Sequence, residues 1–332
     1  MKRVRTVEPG GNYFSSPKRN LSFIRSGSKL LDLALGGGWA ENRIINIVGS
    51  KSTGKTLLAI EGSTNFTKKY PKGKVRYREC ESAFDEDYAK ALGMPIDRID
   101  FDVHLETVED MYKDLSKVIK KATTEELYIV DSLDALSDIE EMERDFDKGS
   151  YGMGKAKNMS KLFRMLTSQM ADKKVTLIII SQVRDKIGVI YGKKTTRGGG
   201  RALDFYSSQV AMLTEVEKTS KTFSNIKRVT GLTIKANIEK NKVALPFRQV
   251  EFNIQFGYGI DDVEACLDWL KEANRLTDYS KGTPKEILGR LSDADDKDYW
   301  NEVKRLHQVV ETNWYSIEKQ SLPTRRKQND TT

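Results

Sequence analysis

Apolar runs alternate with amphipathic stretches along most of this chain. The β-branched run Ile44-Ile45-Asn46-Ile47-Val48 is too short for a helix, which predicts a strand buried on both faces, and Leu57-Leu58-Ala59-Ile60-Glu61 then continues as a helix. The same alternation recurs downstream. Strands are predicted at 74–78, 99–103, 127–132 and 175–180, and helices at 85–92, 107–122 and from about 155 to 171. In the 107–122 stretch Val108, Met111, Leu115 and Val118 share one helical face. Strand–helix alternation of this kind predicts an α/β fold with a mostly parallel central sheet flanked by helices. Three further apolar or alternating runs, 209–217, 231–238 and 248–255, predict antiparallel strands at the sheet's far edge. Residues 140–154 are charged, Gly-punctuated and aperiodic, which predicts a loop.

The ends read differently. Residues up to about 28 carry Pro9, Gly10, Gly11 and Pro17 among scattered cations, which predicts an extended basic arm. A short helix, Lys29 to Leu35, then stops at Gly36-Gly37-Gly38. Past 261 the pattern is helical, with Val263, Cys266, Leu267 and Leu270 on one face of 262–273 and Trp300, Val303, Leu306 and Val310 on one face of a later helix. The domain reading is an arm (1–26), a core (27–260), a small helical C-terminal domain (261–320) and a disordered basic tail (321–332).

Between the first strand and its helix lies Gly49-Ser50-Lys51-Ser52-Thr53-Gly54-Lys55-Thr56, which fits G-x-x-x-x-G-K-[ST]. Glycines let backbone N–H groups converge on an anion, Lys55 adds a point charge at the β/γ-phosphates, and the Thr56 hydroxyl can ligate Mg²⁺. The strand at 127–132 ends in Asp131, the usual partner carboxylate for the Mg²⁺ shell. Glu79 and Glu81 close the preceding strand, where an open α/β sheet presents its ligand crevice, although either could be a plain strand cap.

Composition narrows the rest. No apolar run approaches the ~18 residues of a membrane span, and Met1-Lys2-Arg3-Val4-Arg5 leads into polar residues, so a cytoplasmic protein with no membrane partner is expected. Two cysteines (Cys80, Cys266) and two histidines (His104, His307) are too few for a disulfide framework, and their spacing fits no usual zinc site. The net charge of +8 is unevenly spread. Residues 183–201 hold Arg184, Lys186, Lys193, Lys194, Arg197 and Arg201 against the single acid Asp185, a net +5, interleaved with five glycines, Ile187 and Tyr191. Such a segment suits a nucleic-acid backbone, with cations on phosphates and apolar side chains among bases; the plain alternative is a solvated loop.

With these elements in hand, the sequence from about Ser26 to Gly259 resembles the RecA family of homologous-recombination ATPases. The likeness is collinear. It runs through Ser26-Gly27-Ser28-Lys29-Leu30-Leu31-Asp32 before the phosphate loop, Ala83-Phe84-Asp85 and Tyr88-Ala89 after Glu81, Ser181-Gln182-Val183-Arg184-Asp185-Lys186-Ile187, and Lys240-Asn241-Lys242. The resemblance implies a P-loop ATPase core of RecA type. It implies that Glu81 polarises the attacking water, that Lys55, Thr56 and Asp131 serve ATP and Mg²⁺, and that Asp85 and Tyr88 contact adenine. Gln182 would sense the γ-phosphate and relay its state to the loop behind it, while Lys240 and Lys242 would reach the ATP of a neighbouring subunit in a helical filament. Met153 and Ile187 would wedge between bases, and Ser160, Arg164, Arg184, Lys186, Gly199 and Gly200, with Arg197 in the same basic segment, would follow the DNA backbone. The partners so implied are single-stranded DNA, homologous duplex DNA, further copies of the chain, and a single-strand-binding protein or loader.

The sequence departs from the family in several places. No long N-terminal oligomerisation helix is visible, Asp204 and Val210 replace basic residues, and Thr214-Glu215 stand where the family has two arginines on its second DNA path. A divergent, phage-type (UvsX-like) member fits these departures. An accessory protein that binds ATP and DNA without exchanging strands stays open as an alternative. A ring motor or kinase on the same core is disfavoured by the basic segment.

Overall fold

The computed structural model describes residues 3–5, 18–142, 152–170, 173–185, 195–197 and 200–324. Two short antiparallel pairs lead in, β1 (Arg3–Arg5) with β2 (Lys18–Asn20) and β3 (Phe23–Ile24) with β4 (Trp39–Ala40). The core is a ten-stranded sheet of β5 (Ile44–Gly49), β6 (Lys74–Glu79), β7 (Ile99–Asp102), β8 (Glu126–Asp131), β9 (Val175–Asp185), β10 (Thr195–Arg197), β11 (Gln209–Phe223), β12 (Ile226–Asn241), β13 (Gln249–Gln255) and β14 (Gly259–Asp261). Its spatial order is β14-β13-β12-β11-β5-β9-β8-β6-β7, with β10 on β9. The run β7-β6-β8-β9-β5-β11 is parallel, whereas β12 is antiparallel to both β11 and β13.

The helices of the first unit are α1 (Lys29–Leu35), α2 (Lys55–Lys69), α3 (Glu86–Ala91), α4 (Val108–Lys121), α5 (Ile139–Met142), α6 (Gly152–Met170) and α7 (Gly200–Tyr206). Local signals fix their ends. Ser28 caps α1 by accepting from the Leu31 N–H, and Gly36 closes it at φ 88 in the left-handed region. Thr107 caps α4 in the same way. Strands β5 and β8 are buried throughout, as expected of parallel strands covered on both faces. Val108, Met111 and Leu115 of α4 and Phe163 and Leu166 of α6 join Tyr128, Val130, Leu177 and Ile179 of the sheet in one apolar cluster. Each such side chain contributes about 1.5–3 kcal/mol through burial, which is what seats both helices on the sheet.

The predicted α/β architecture with helices flanking a mostly parallel sheet and antiparallel strands at one edge is the observed one. Two local readings change. The strand at 209–217 joins the two parts of the sheet, because β11 lies parallel to β5 on one side and antiparallel to β12 on the other. Met153, placed in a loop by the sequence reading, has helical backbone in the first turn of α6, and α5 overlaps the start of the stretch 140–154. Met, Lys and Ala are strong enough helix formers to outweigh Gly152 and Gly154 there.

Contacts divide the chain into two compact units, Met1–Ile260 and Asp261–Thr332. The second contains α8 (Asp262–Glu272), α9 (Pro284–Ser292) and α10 (Asp296–Ser321). Thr283 and Glu286 form a capping box on α9, and the Trp269 and Trp314 rings lie 5.7 Å apart between α8 and α10.

Candidate nucleotide-hydrolysis site

Strand β5 sits where the sheet order reverses: the chain leaves it for β6 on one side, and β11 later fills the other. A crevice at the carboxyl ends of the strands is expected at such a point. The chain turns there from Gly49 into α2 through a loop with Ser52 at φ 60 and Gly54 at φ 80. Glycine is required at two positions. A Cβ on Gly54 would combine a left-handed φ with a 2.5 Å approach to Ile254, and one on Gly49 would overlap the Thr53 hydroxyl. Thr53 and Lys55 both donate to the Ser50 carbonyl, at 3.0 and 2.6 Å, which holds the loop curled over the N-terminus of α2. Burial pulls the Lys55 ammonium pKa below its usual value, against the opposing pull of Asp131, Glu81 and Asp134.

Behind the loop, Asp131 at the end of β8 accepts from the Thr56 hydroxyl (2.8 Å) and the Tyr77 phenol (2.7 Å) through one carboxylate oxygen. Burial raises the Asp131 carboxyl pKa although both hydroxyls favour its charged form. Hard oxygen donors from Thr56 and Asp131, 2.8 Å apart on facing elements, fit a Mg²⁺ ion.

Glu81 lies just beyond β6. It accepts from the Ser132 hydroxyl and, at 2.7 Å, from the Gln182 side-chain amide. Gln182 pairs in register with Gly49 of the phosphate loop, and its own backbone N–H donates to Asp134 at 2.6 Å. The turn bearing Glu81 is held by Glu79, a buried carboxylate that accepts the backbone N–H groups of Glu81 (3.0 Å), Ser82 (2.8 Å) and Ala83 (3.1 Å). Ser82 at φ 56 lets the chain wrap around it. Burial, and after it the Glu79 charge, pushes the Cys80 thiol up to about 12, which keeps that cysteine protonated and unreactive at neutral pH.

The structure thus gathers Lys55, Thr56, Glu81, Asp131 and Gln182 at the carboxyl ends of interior strands of the sheet. The other candidates are placed as follows. Asp85 caps α3 by accepting from the Tyr88 N–H at 2.9 Å, and Tyr88 is half-buried. Lys240 donates to the carbonyls of Asp204 (2.5 Å) and Phe205 (2.7 Å) at the end of α7, and Lys242 N–H pairs with the Ser208 carbonyl. Ser160 and Arg164 are exposed on α6. Arg184 lies on β9, Arg197 on β10 and Gly200 at the start of α7, while Lys186, Ile187 and Gly199 fall outside the described residues. No helix among the described residues is long and apolar enough to cross a membrane. In the second unit Asp262, Cys266 and His307 bring their ligand atoms within 4.8 Å of one another, so sequence spacing alone does not keep a cysteine and a histidine apart. The imidazole there lies 2.8 Å from the Asp262 carboxylate, close to a buried thiol.

A family model of the RecA N-terminal domain matches residues 12–261. The chain belongs to the RecA family of recombinases. Protein RecA of Trichodesmium erythraeum is 35% identical over 283 residues, 82% of this chain and 76% of that protein. Protein RecA of Arthrospira platensis is 34% identical over 257 residues, 77% and 68% of the two chains, and that of Symbiobacterium thermophilum is 35% identical over 256 residues, 77% and 71%. The RecA match ends at the boundary between the two compact units. Three residues of this RecA-family site escaped the sequence reading, Tyr77 on β6 and Ser132 and Asp134 after β8, while Glu79 was read only as one of two carboxylates closing β6. Asp134 and Ser132 follow Asp131 closely, which was the available signal. Nothing in the pattern marks the roles of Tyr77 and Glu79.

Proposed function

We propose that this RecA-family chain is a DNA-dependent ATPase that polymerises on single-stranded DNA with ATP and Mg²⁺ and promotes homologous pairing and strand exchange. The observation that carries this reading is the hydrogen bond from Gln182 to Glu81. It ties a carboxylate at the phosphate crevice to β9, the strand that runs on to Asp185 and into the basic, glycine-rich segment. In this mechanism Lys55 and the phosphate-loop N–H groups hold the triphosphate, and Thr56 and Asp131 would hold Mg²⁺, which when bound would supply neutralisation of phosphate charge. Glu81, oriented by Ser132, takes the proton of the attacking water. A γ-phosphate competes with Glu81 for the Gln182 amide, so the start of the basic segment shifts with nucleotide state, an order–disorder switch of known type. Cations of 184–201 then engage the DNA backbone, with Met153 and Ile187 against the bases. Asp85 and Tyr88 receive the adenine. Lys240 and Lys242 reach the ATP of the next subunit, which makes specific activity rise with protein concentration.

The test is Glu81→Gln. It should bind ATP as the parent does and hydrolyse it about 10²–10⁴-fold more slowly, the range for loss of a general base. Parent-like hydrolysis would remove Glu81 from the chemistry. The accessory-protein reading is favoured by Thr214 and Glu215, which put no cations on that part of β11. A strand-exchange assay with homologous duplex separates the two.

A further inference from the structure

Strands β11 and β12 outrun the sheet that holds them. β5 covers β11 only from Gln209 to Leu213, and β13 covers β12 only from Gly231 to Asn237, so the distal ends continue as a free two-stranded ribbon. A two-residue turn closes it, with Ser224 at φ 46 and Asn225 at φ 66, the positive pair that suits the twist of a tight hairpin. The register beyond the last bulge is Ser220–Val229, Lys221–Arg228, Thr222–Lys227 and Phe223–Ile226. Opposed residues share a face and faces alternate, so Phe223, Ile226, Lys221 and Arg228 lie on one side.

That side is not built for solvent. Phe223 and Ile226 are 55% and 52% exposed at the tip, and directly behind them two cations oppose each other, an arrangement that destabilises an isolated ribbon. From 218 to 229 the chain carries four cations and no acid. Lys218 reaches back to Glu215 at 3.7 Å, whereas Lys221, Lys227 and Arg228 form no ion pair among the described residues. An anionic partner relieves the repulsion. An acidic protein surface would leave the aromatic and aliphatic tip in water; a nucleic acid offers phosphates and flat apolar bases in alternation.

We propose that the β11–β12 ribbon is a second nucleic-acid contact, with Lys221 and Arg228 on backbone phosphates and Phe223 and Ile226 against bases. It gives this chain cations further out on a strand where Thr214 and Glu215 supply none. The inference rests on the DNA reading above but uses residues outside the basic segment, so the two can fail separately.

The test uses the full-length protein with labelled oligothymidylate and a labelled duplex, titrated across a salt series. Lys221→Ala/Arg228→Ala should flatten the single-strand salt slope by about 1.4, from about 0.7 per phosphate contact. Phe223→Ala should weaken single-strand binding by about fivefold or more, the low end for loss of one stacked base. Neither variant should lower the melting temperature or slow ATP hydrolysis without DNA, and the double variant should melt no lower than the parent because a like-charge pair is gone. Parent-like affinity and slope in both, with binding lost in an Arg184→Ala/Lys186→Ala control, would overturn the ribbon contact and leave the recombinase reading intact. Absence of DNA binding by the parent would overturn both. If the double variant instead changed self-association in sedimentation without DNA and left the salt slope alone, the occupant would be a protein surface and the inference would fall.

Discussion

Glu79 makes no contact with a nucleotide in the scheme above, yet it should matter to catalysis. Its buried carboxylate accepts three backbone N–H groups, two through Oε1 (Glu81 and Ala83) and one through Oε2 (Ser82). Glu79→Ala removes all three. Bonds to a charged acceptor contribute about 1.5–3 kcal/mol when dry, but Glu81, Ser82 and Ala83 are exposed and water replaces part of each, which brings the loss to about 1 kcal/mol per bond. About 3 kcal/mol of ordering is then lost from the turn that aims Glu81, equivalent to roughly 10²-fold in the populated productive geometry. Glu79→Gln keeps an oxygen for Glu81 and Ala83 and loses the Ser82 bond, about 1 kcal/mol, so about fivefold is expected. Steady-state hydrolysis with saturating single-stranded DNA should show kcat falling by these factors while KM for ATP moves less than about threefold, because the phosphate loop is untouched. Equal kcat in all three proteins would refute the positioning role. A joint fall in kcat and melting temperature, with no difference between Ala and Gln, would mean that Glu79 serves the fold alone.

Two further outcomes follow from the same geometry. Asp131 must be ionised to hold Mg²⁺, and burial raises its pKa while the Tyr77 hydroxyl lowers it. Tyr77→Phe removes the lowering contact, so Mg²⁺-dependent nucleotide affinity should begin to fall at a higher pH than in the parent as the solution is acidified; superimposable pH profiles would contradict the assignment. Replacing Arg184 and Lys186 together by Ala should weaken single-strand binding and flatten its salt slope by about 1.4, and an unchanged slope would move the DNA path elsewhere.

Much of the site was legible because its signals are local. The phosphate loop needs Gly49 and Gly54 where a Cβ would meet the Thr53 hydroxyl and the Ile254 side chain, and Lys55 and Thr56 follow at fixed spacing. Buried parallel strands announce themselves as continuous apolar runs, as β5, β8 and β9 do. Glu79 was visible only as one of two carboxylates closing a strand. Which of the two turns inward to collect backbone N–H groups depends on the fold of the turn. Tyr77 was unreadable for a related reason: its phenol meets Asp131 across two adjacent parallel strands, a register no single stretch encodes. The ribbon was truncated in the sequence reading because beyond Glu217 the strand's usual signal, burial of alternate side chains, stops while the hydrogen-bonded ladder goes on.

The coupling between the crevice and the basic segment is tested most directly by the affinity for labelled single-stranded DNA with ADP, with a non-hydrolysable ATP analogue and Mg²⁺, and without nucleotide, in the parent and in Gln182→Ala. The parent should bind at least tenfold more tightly with the analogue than with ADP, about 1.4 kcal/mol of coupling, and Gln182→Ala should bind the analogue yet lose that difference. Equal DNA affinity in all three nucleotide conditions for the parent would contradict the link from Glu81 through Gln182 to the DNA.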